Sequence, residues 1–122
     1  MSANAIARYR AIQVTTSSPQ QILLMLYDGL FRFMGEARTA LAAGEPARAG
    51  ERISKAHAIL DELYATLDSS KAPELCDTLR GVYLFAMEHL VLANVHQDPA
   101  LVDETIRVMT PLHEAWQSIL KK

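Results

Sequence analysis

Four interruptions constrain this chain more than anything else in it. Ser18-Pro19-Gln20-Gln21, Gly44-Glu45-Pro46, the stretch SSKAP ending at Pro73, and Asp98-Pro99 divide 122 residues into four long segments of helical periodicity. Ser18 can serve as an N-cap, Pro19 suits the first helical position, and Gln21 completes a capping box. Gly44 suits a left-handed cap. Asp98-Pro99 repeats the N-cap and first-position pair, with Asp103 and Glu104 near the positive end of the helix dipole. The spacing predicts helices over about 19–43, 46–68, 74–96 and from 99 to the C-terminus, with a kink near Thr110 imposed by Pro111. Helices of ~20–25 residues are ~30–38 Å long. Short connections make successive helices antiparallel, so the expected fold is all-α: an antiparallel up-down four-helix bundle.

The N-terminal segment is different. Ile6, Tyr9 and Ile12 stand at helical spacing over a short stretch, and the β-branched run QVTT then reads as an extended linker. The expected organisation is a single domain over 1–122, with 1–16 a cap segment and linker and 17–122 the bundle. Ile6 and Tyr9 are expected to form a movable cap, because they lie on an amphipathic scrap of helix tethered by that linker.

Bulk properties exclude several function classes. The formal net charge is −2 and basic residues are scattered, so electrostatics gives no case for nucleic acid. The single cysteine, Cys76, permits no intramolecular disulfide and fits a reducing compartment. The N-terminus lacks the continuous apolar run of a signal peptide. The apolar-dense window VYLFAMEHLVLANV is interrupted by Glu88, His89 and Asn94 and is shorter than the ~20 residues a membrane span needs. A cytoplasmic location without membrane insertion is expected.

The helix faces carry the functional signal. In the 46–68 helix, Ala49, Ile53, Ala56, Leu60, Leu63 and Leu67 form one stripe, and charged residues such as Arg52, Lys55 and Asp61 occupy the rest. In the 19–43 helix, ten apolar residues from Ile22 to Ala37 spread over roughly 200° of the wheel, where a single bundle face needs little more than ~100°. Asp28 and Arg32 fall in the remainder, mark its solvent side and are spaced to pair across one turn. Gly29 at its border suggests close approach of another backbone. From Val82 to Val95, 11 of 14 residues are apolar and surround the axis. The N-terminal segment, a second copy or another protein's segment must cover such surplus, and exposed patches of several hundred Å² usually mark interaction sites.

Catalytic and metal-binding patterns are missing. The residues three before His57, His89, His96 and His113 are Ser54, Ala86, Ala93 and Thr110, so the Glu-x-x-His pattern of a di-iron bundle is not present. No two histidines stand four apart. His57 precedes the acidic stretch AILDEL, which reads as a groove-edge or surface histidine rather than a phosphotransfer site. Cys76 reads as a packing residue. No enzyme activity, metal or cofactor is expected.

The ordered motifs have a family likeness. Tyr9, Val14, Thr16, Ser18-Pro19 and Ile22 to Phe33 (ILLMLYDGLFRF) resemble the N-terminal signature of the flagellar secretion chaperones, the FliS family. The resemblance continues through Ile53 to Asp68 and Leu79 to Asn94, and ends in a last helix containing Glu114-Ala115-Trp116. Its departures are His89, where arginine is common, the absence of a glycine pair in SSKAP, and Pro111. The resemblance implies a cytoplasmic export chaperone that binds the disordered C-terminal segment of flagellin. Binding would block premature polymerisation and keep the subunit competent for flagellar type III secretion. It also implies that the N-terminal segment covers part of the groove when flagellin is absent. Contacts with an export-gate component, an anti-sigma factor or a co-chaperone stay open, and so does monomer against weak dimer in the free state. The rival reading is a helical-bundle homodimer or adaptor for another amphipathic helix.

The expected flagellin-binding groove draws on apolar positions of three helices. They are Leu23, Leu24, Met25, Tyr27 and Phe31; Ile53, His57 and Leu60; and Leu84, Met87, Val91 and Val95. Core packing is the competing role at each, because a wheel does not reveal which arc faces inward. The surplus surface of the 19–43 helix is read as serving its own bundle on one side and flagellin on the other.

Overall fold

The computed structural model describes residues 18–120. Four helices fill them: α1 (Pro19–Ala42), α2 (Pro46–Ala65), α3 (Pro73–His96) and α4 (Pro99–Leu120). The N-terminal residues Ile6 and Tyr9 lie outside the described residues.

The local signals act as their chemistry requires. Gln21 N–H donates to Ser18 Oγ at 3.2 Å and Ser18 N–H donates to Gln21 Oε1 at 3.0 Å, so each satisfies an orphan amide of the other. Gly44 takes φ +71°. There Glu45 N–H reaches Ala40 O at 2.9 Å and Gly44 N–H reaches Leu41 O at 3.1 Å, the two bonds of a Schellman cap. Asp98 Oδ1 accepts from Ala100 N–H at 2.9 Å to start α4. One boundary differs from expectation. α2 stops at Ala65, where the Thr66 hydroxyl donates to Leu63 O at 2.8 Å and Asp68 accepts from both Ser70 N and Oγ. These local bonds compete with further helix, and those from Ser70 hold the Asp68 carboxyl below its ordinary pKa. α4 runs through Pro111 to Leu120, the reach the periodicity predicts for the last helix.

Cross-helix contacts fix the directions. Arg52 meets Glu36 while Ile59 meets Gly29, so α1 and α2 run antiparallel. Arg38 pairs with Asp103 at 2.8 Å and Asp28 with His113 at 2.8 Å, so α1 and α4 do too. Gly50 lies beside Asn94 and Tyr64 beside Arg80, which sets α2 against α3 in the same sense. Each helix packs on two neighbours: α1 and α3 both contact α2 and α4, and they stand across the bundle diagonal from each other. Gly29 faces the side chain of Ile59, whose Cδ1 would lie 3.3 Å from an added Cβ, so a neighbouring side chain, not a backbone, takes the space. Asp28 and Arg32 are both exposed but bond elsewhere: Asp28 turns to His113, and the Arg32 guanidinium lies over the Phe33 ring.

The core is built from Tyr27, Leu30 and Met34 of α1, Leu60 and Leu63 of α2, Tyr83 and Leu90 of α3, and Val102, Thr105 and Met109 of α4. Across its diagonal the Tyr27 and Tyr83 hydroxyls share a hydrogen bond of 2.7 Å. Burial raises the pKa of both phenols above its ordinary value, so both stay protonated at neutral pH. The two hydroxyls bond each other, so the effect of substituting one should change sign once the other is gone. Tyr83→Phe should cost about 1–3 kcal/mol by stranding a buried hydroxyl. Adding Tyr27→Phe should recover part of that loss, because an apolar pair leaves no unmade bond. Urea denaturation of the four species in this cycle measures it; strictly additive losses would show that the two hydroxyls are not coupled.

Candidate binding groove

The described residues leave an open groove of about 330 Å³ between α2 and α3. Ile53, Ser54, His57, Ala58 and Asp61 line it from α2, and Val91, Asn94 and Val95 from α3. Its two walls differ in character. On α2 the lining positions above the buried Ile53 are Ser54, His57, Ala58 and Asp61. None is a large apolar residue, so this wall is low and polar. On α3, Leu84, Val91 and Val95 recur at helical spacing and are 50%, 47% and 69% exposed. Leu92 extends the apolar surface around α3, and Glu88 stands exposed among these residues. The groove exists because α2 offers too little side-chain bulk to cover α3.

The expected groove residues separate into three environments. Val91, Val95, His57 and Ile53 line the groove, with Ile53 at its floor and only 4% exposed, and Leu84 continues the α3 wall. Tyr27, Leu60, Leu24 and Met87 belong to the interior and present no side chain to a partner. Leu23, Met25 and Phe31 are half-buried on α1, which does not border this groove. Phe31 instead stacks on His113 of α4, ring centroids 4.5 Å apart. Phe33 lies beneath Arg32 and Lys55. Much of the surplus apolar arc of α1 is therefore covered from within: by α2, by α4 and by the stems of its cationic neighbours.

Residues that the sequence reading did not single out complete the groove: Ser54, Ala58, Asp61 and Asn94. The spacing of Gly50, Ser54 and Ala58, each four residues from the last, was the available signal for a low wall.

His89 and His113 are structural ties. His89 Nε2 meets Glu104 Oε1 at 2.9 Å and its ring stacks on Phe85, joining α3 to α4. His113 joins α4 to α1 through Asp28. Cys76 is buried. Among the described residues no group of three His, Cys, Asp or Glu side chains is placed to hold a metal, and no helix is long and apolar enough to cross a membrane.

Comparison with known proteins identifies the family. The family described as "Flagellar protein FliS" matches residues 2–122. The flagellar secretion chaperone FliS of Salmonella typhimurium is 32% identical, over 99% of this chain and 93% of that protein. The Campylobacter jejuni protein of the same name is 32% identical over 91% of this chain and 87% of its own length. The Bacillus subtilis one is 29% identical over 97% and 87%. With the family signature running almost end to end and relatives matching across nearly their whole lengths, the chain belongs to the FliS family of flagellar secretion chaperones.

Proposed function

We propose that this protein is a cytoplasmic export chaperone for flagellin, without catalytic activity. The groove between α2 and α3 would receive part of flagellin's disordered C-terminal segment, prevent its premature polymerisation and keep it competent for flagellar type III secretion. The observation that carries the reading is the α3 wall: Leu84, Val91 and Val95 stand about half exposed or more along one face of a small bundle. A polymerising subunit has an apolar helical face without a partner until it assembles. A second helix laid against α3 would supply that partner by helix-in-groove recognition. Ordering a disordered segment on binding offsets part of the interface energy, which suits a chaperone that must later let go.

Native mass spectrometry with and without a flagellin C-terminal peptide tests the proposal. The expected result is a one-to-one complex with the peptide. A stable dimer whose mass is indifferent to peptide would overturn it in favour of self-association through the same face.

A further inference from the structure

We infer that the α2–α3 groove selects an amphipathic helix carrying a lysine or arginine on its docking face, held by Asp61 and Glu88. This rests on the groove being the client's seat, as proposed above, and adds the chemistry by which that seat chooses its occupant.

The argument is one of unbalanced charge. Asp61 lines the groove with its side chain 65% exposed, and its one ion-pair contact among the described residues is His57 Nδ1 at 3.3 Å. Glu88 is exposed on the α3 wall and has no partner among the described residues. Neighbouring cations are already engaged. Arg52 meets Glu36 at 3.0 Å and Glu51 at 2.7 Å. Arg80 pairs with Asp77 at 2.8 Å and lies over Tyr64. Lys55 lies over Phe33, towards α1. Asp61 thus stands in the groove lining and Glu88 exposed beside it on α3, and among the described residues the lining holds no arginine or lysine.

Position makes these carboxylates matter to an occupant. Gly50 faces Asn94 and Tyr64 faces Arg80, which sets Asp61 near the level of Leu84 and Glu88 near that of His57. Leu84 and Val91 are seven residues apart, ~10 Å along the axis. A helix contacting both apolar positions passes Glu88 between them and meets Asp61 across the groove at the Leu84 end. Covering a carboxylate without pairing it carries a desolvation cost, whereas a cation at that place turns the cost into attraction. Apolar contacts would supply most of the affinity. The charge pair would set register, reject acidic segments and speed encounter.

The test measures binding of the flagellin C-terminal peptide to the full chain at low and moderate salt. It uses wild type, Asp61→Asn/Glu88→Gln and Val91→Ser/Val95→Ser, with matched peptides whose lysines and arginines are replaced by glutamine. The carboxylate variant should bind the natural peptide about tenfold more weakly at low salt and lose most of its salt dependence. Its loss with the glutamine peptide should be close to nothing, the mark of a direct pair. Thermal melts of the unbound variant should match wild type, since both carboxylates are exposed. Equal binding by wild type and the carboxylate variant at both salts, while Val91→Ser/Val95→Ser binds poorly, would overturn the charge selection and leave the groove standing. Equal losses with natural and glutamine peptides would also overturn it. Unchanged binding by Val91→Ser/Val95→Ser would instead remove the groove itself as the client's seat.

Discussion

Leu60→Ala should lower the unfolding free energy by about 3–5 kcal/mol, one of the largest effects expected of any single substitution in this chain. Leu60 sits at a position that, from the sequence, serves equally well as a groove wall or a core residue. Its side chain is fully buried, in the cluster that includes Leu30, Met34, Leu63 and Leu90. Truncation removes the transfer free energy of the lost methyl groups and leaves a cavity that four helices can only partly close, a combination that spans ~2–5 kcal/mol for buried leucines. For a domain of this size that corresponds to a fall in Tm of roughly 10–20 °C. Urea denaturation should show a lower midpoint with an unchanged slope, since the exposed surface on unfolding hardly changes. A loss below about 1 kcal/mol would place Leu60 at the surface after all.

The architecture was legible in the chain because its signals are local. Ser18 and Gln21 need only each other to make a capping box, and Gly44 needs only its own freedom at positive φ. Helix number and antiparallel order follow from such signals plus short connections. The division of apolar faces was not legible, because it depends on what stands opposite each helix. Leu60 and Val91 look alike on a wheel, yet one meets the core and the other meets the small residues of α2. α1 carries nearly as much apolar surface as α3, but His113, Lys55 and Arg32 cover its aromatic flank. A histidine stacked on phenylalanine from 82 residues away leaves no periodic trace in sequence. Asp61 was equally hidden: on its own helix it is one more surface acid, and only the approach of α3 makes it part of a groove.

Sequence separation also explains the fate of the ion pairs. Asp28 and Arg32 satisfy the spacing for an intrahelical pair, worth only ~0.2–0.5 kcal/mol on an exposed helix. That advantage is small enough for a neighbouring helix to override. His113 offers Asp28 a partner at 2.8 Å with its own side chain largely sheltered, and Arg32 finds the Phe33 ring. The same logic places His89 at the α3–α4 seam through Glu104, an interhelical tie.

Val91→Ser/Val95→Ser should have the reverse profile of Leu60→Ala: a folded protein that has lost its client. Both valines are about half exposed or more, and serine is close to valine in helix propensity, so unfolding should change by no more than about 0.5 kcal/mol per site. In the complex the same side chains would be covered. Withdrawing their apolar surface from an interface should cost about 2–3 kcal/mol together, at ~25 cal/mol per Å². The peptide Kd should rise roughly 30- to 150-fold. Calorimetric titration with the flagellin C-terminal peptide measures the loss, and a thermal melt of the unbound variant shows whether the fold survives. The heat-capacity change on binding should become less negative, since it follows the apolar area buried. The two results must be taken together. Weak binding with an unchanged melt assigns the exposed wall of α3 to the client, as the helix whose apolar surface exceeds what its own neighbours can cover. Weak binding with a melt lowered by many degrees would return the valines to the core, and wild-type binding would move the client to another face of the bundle.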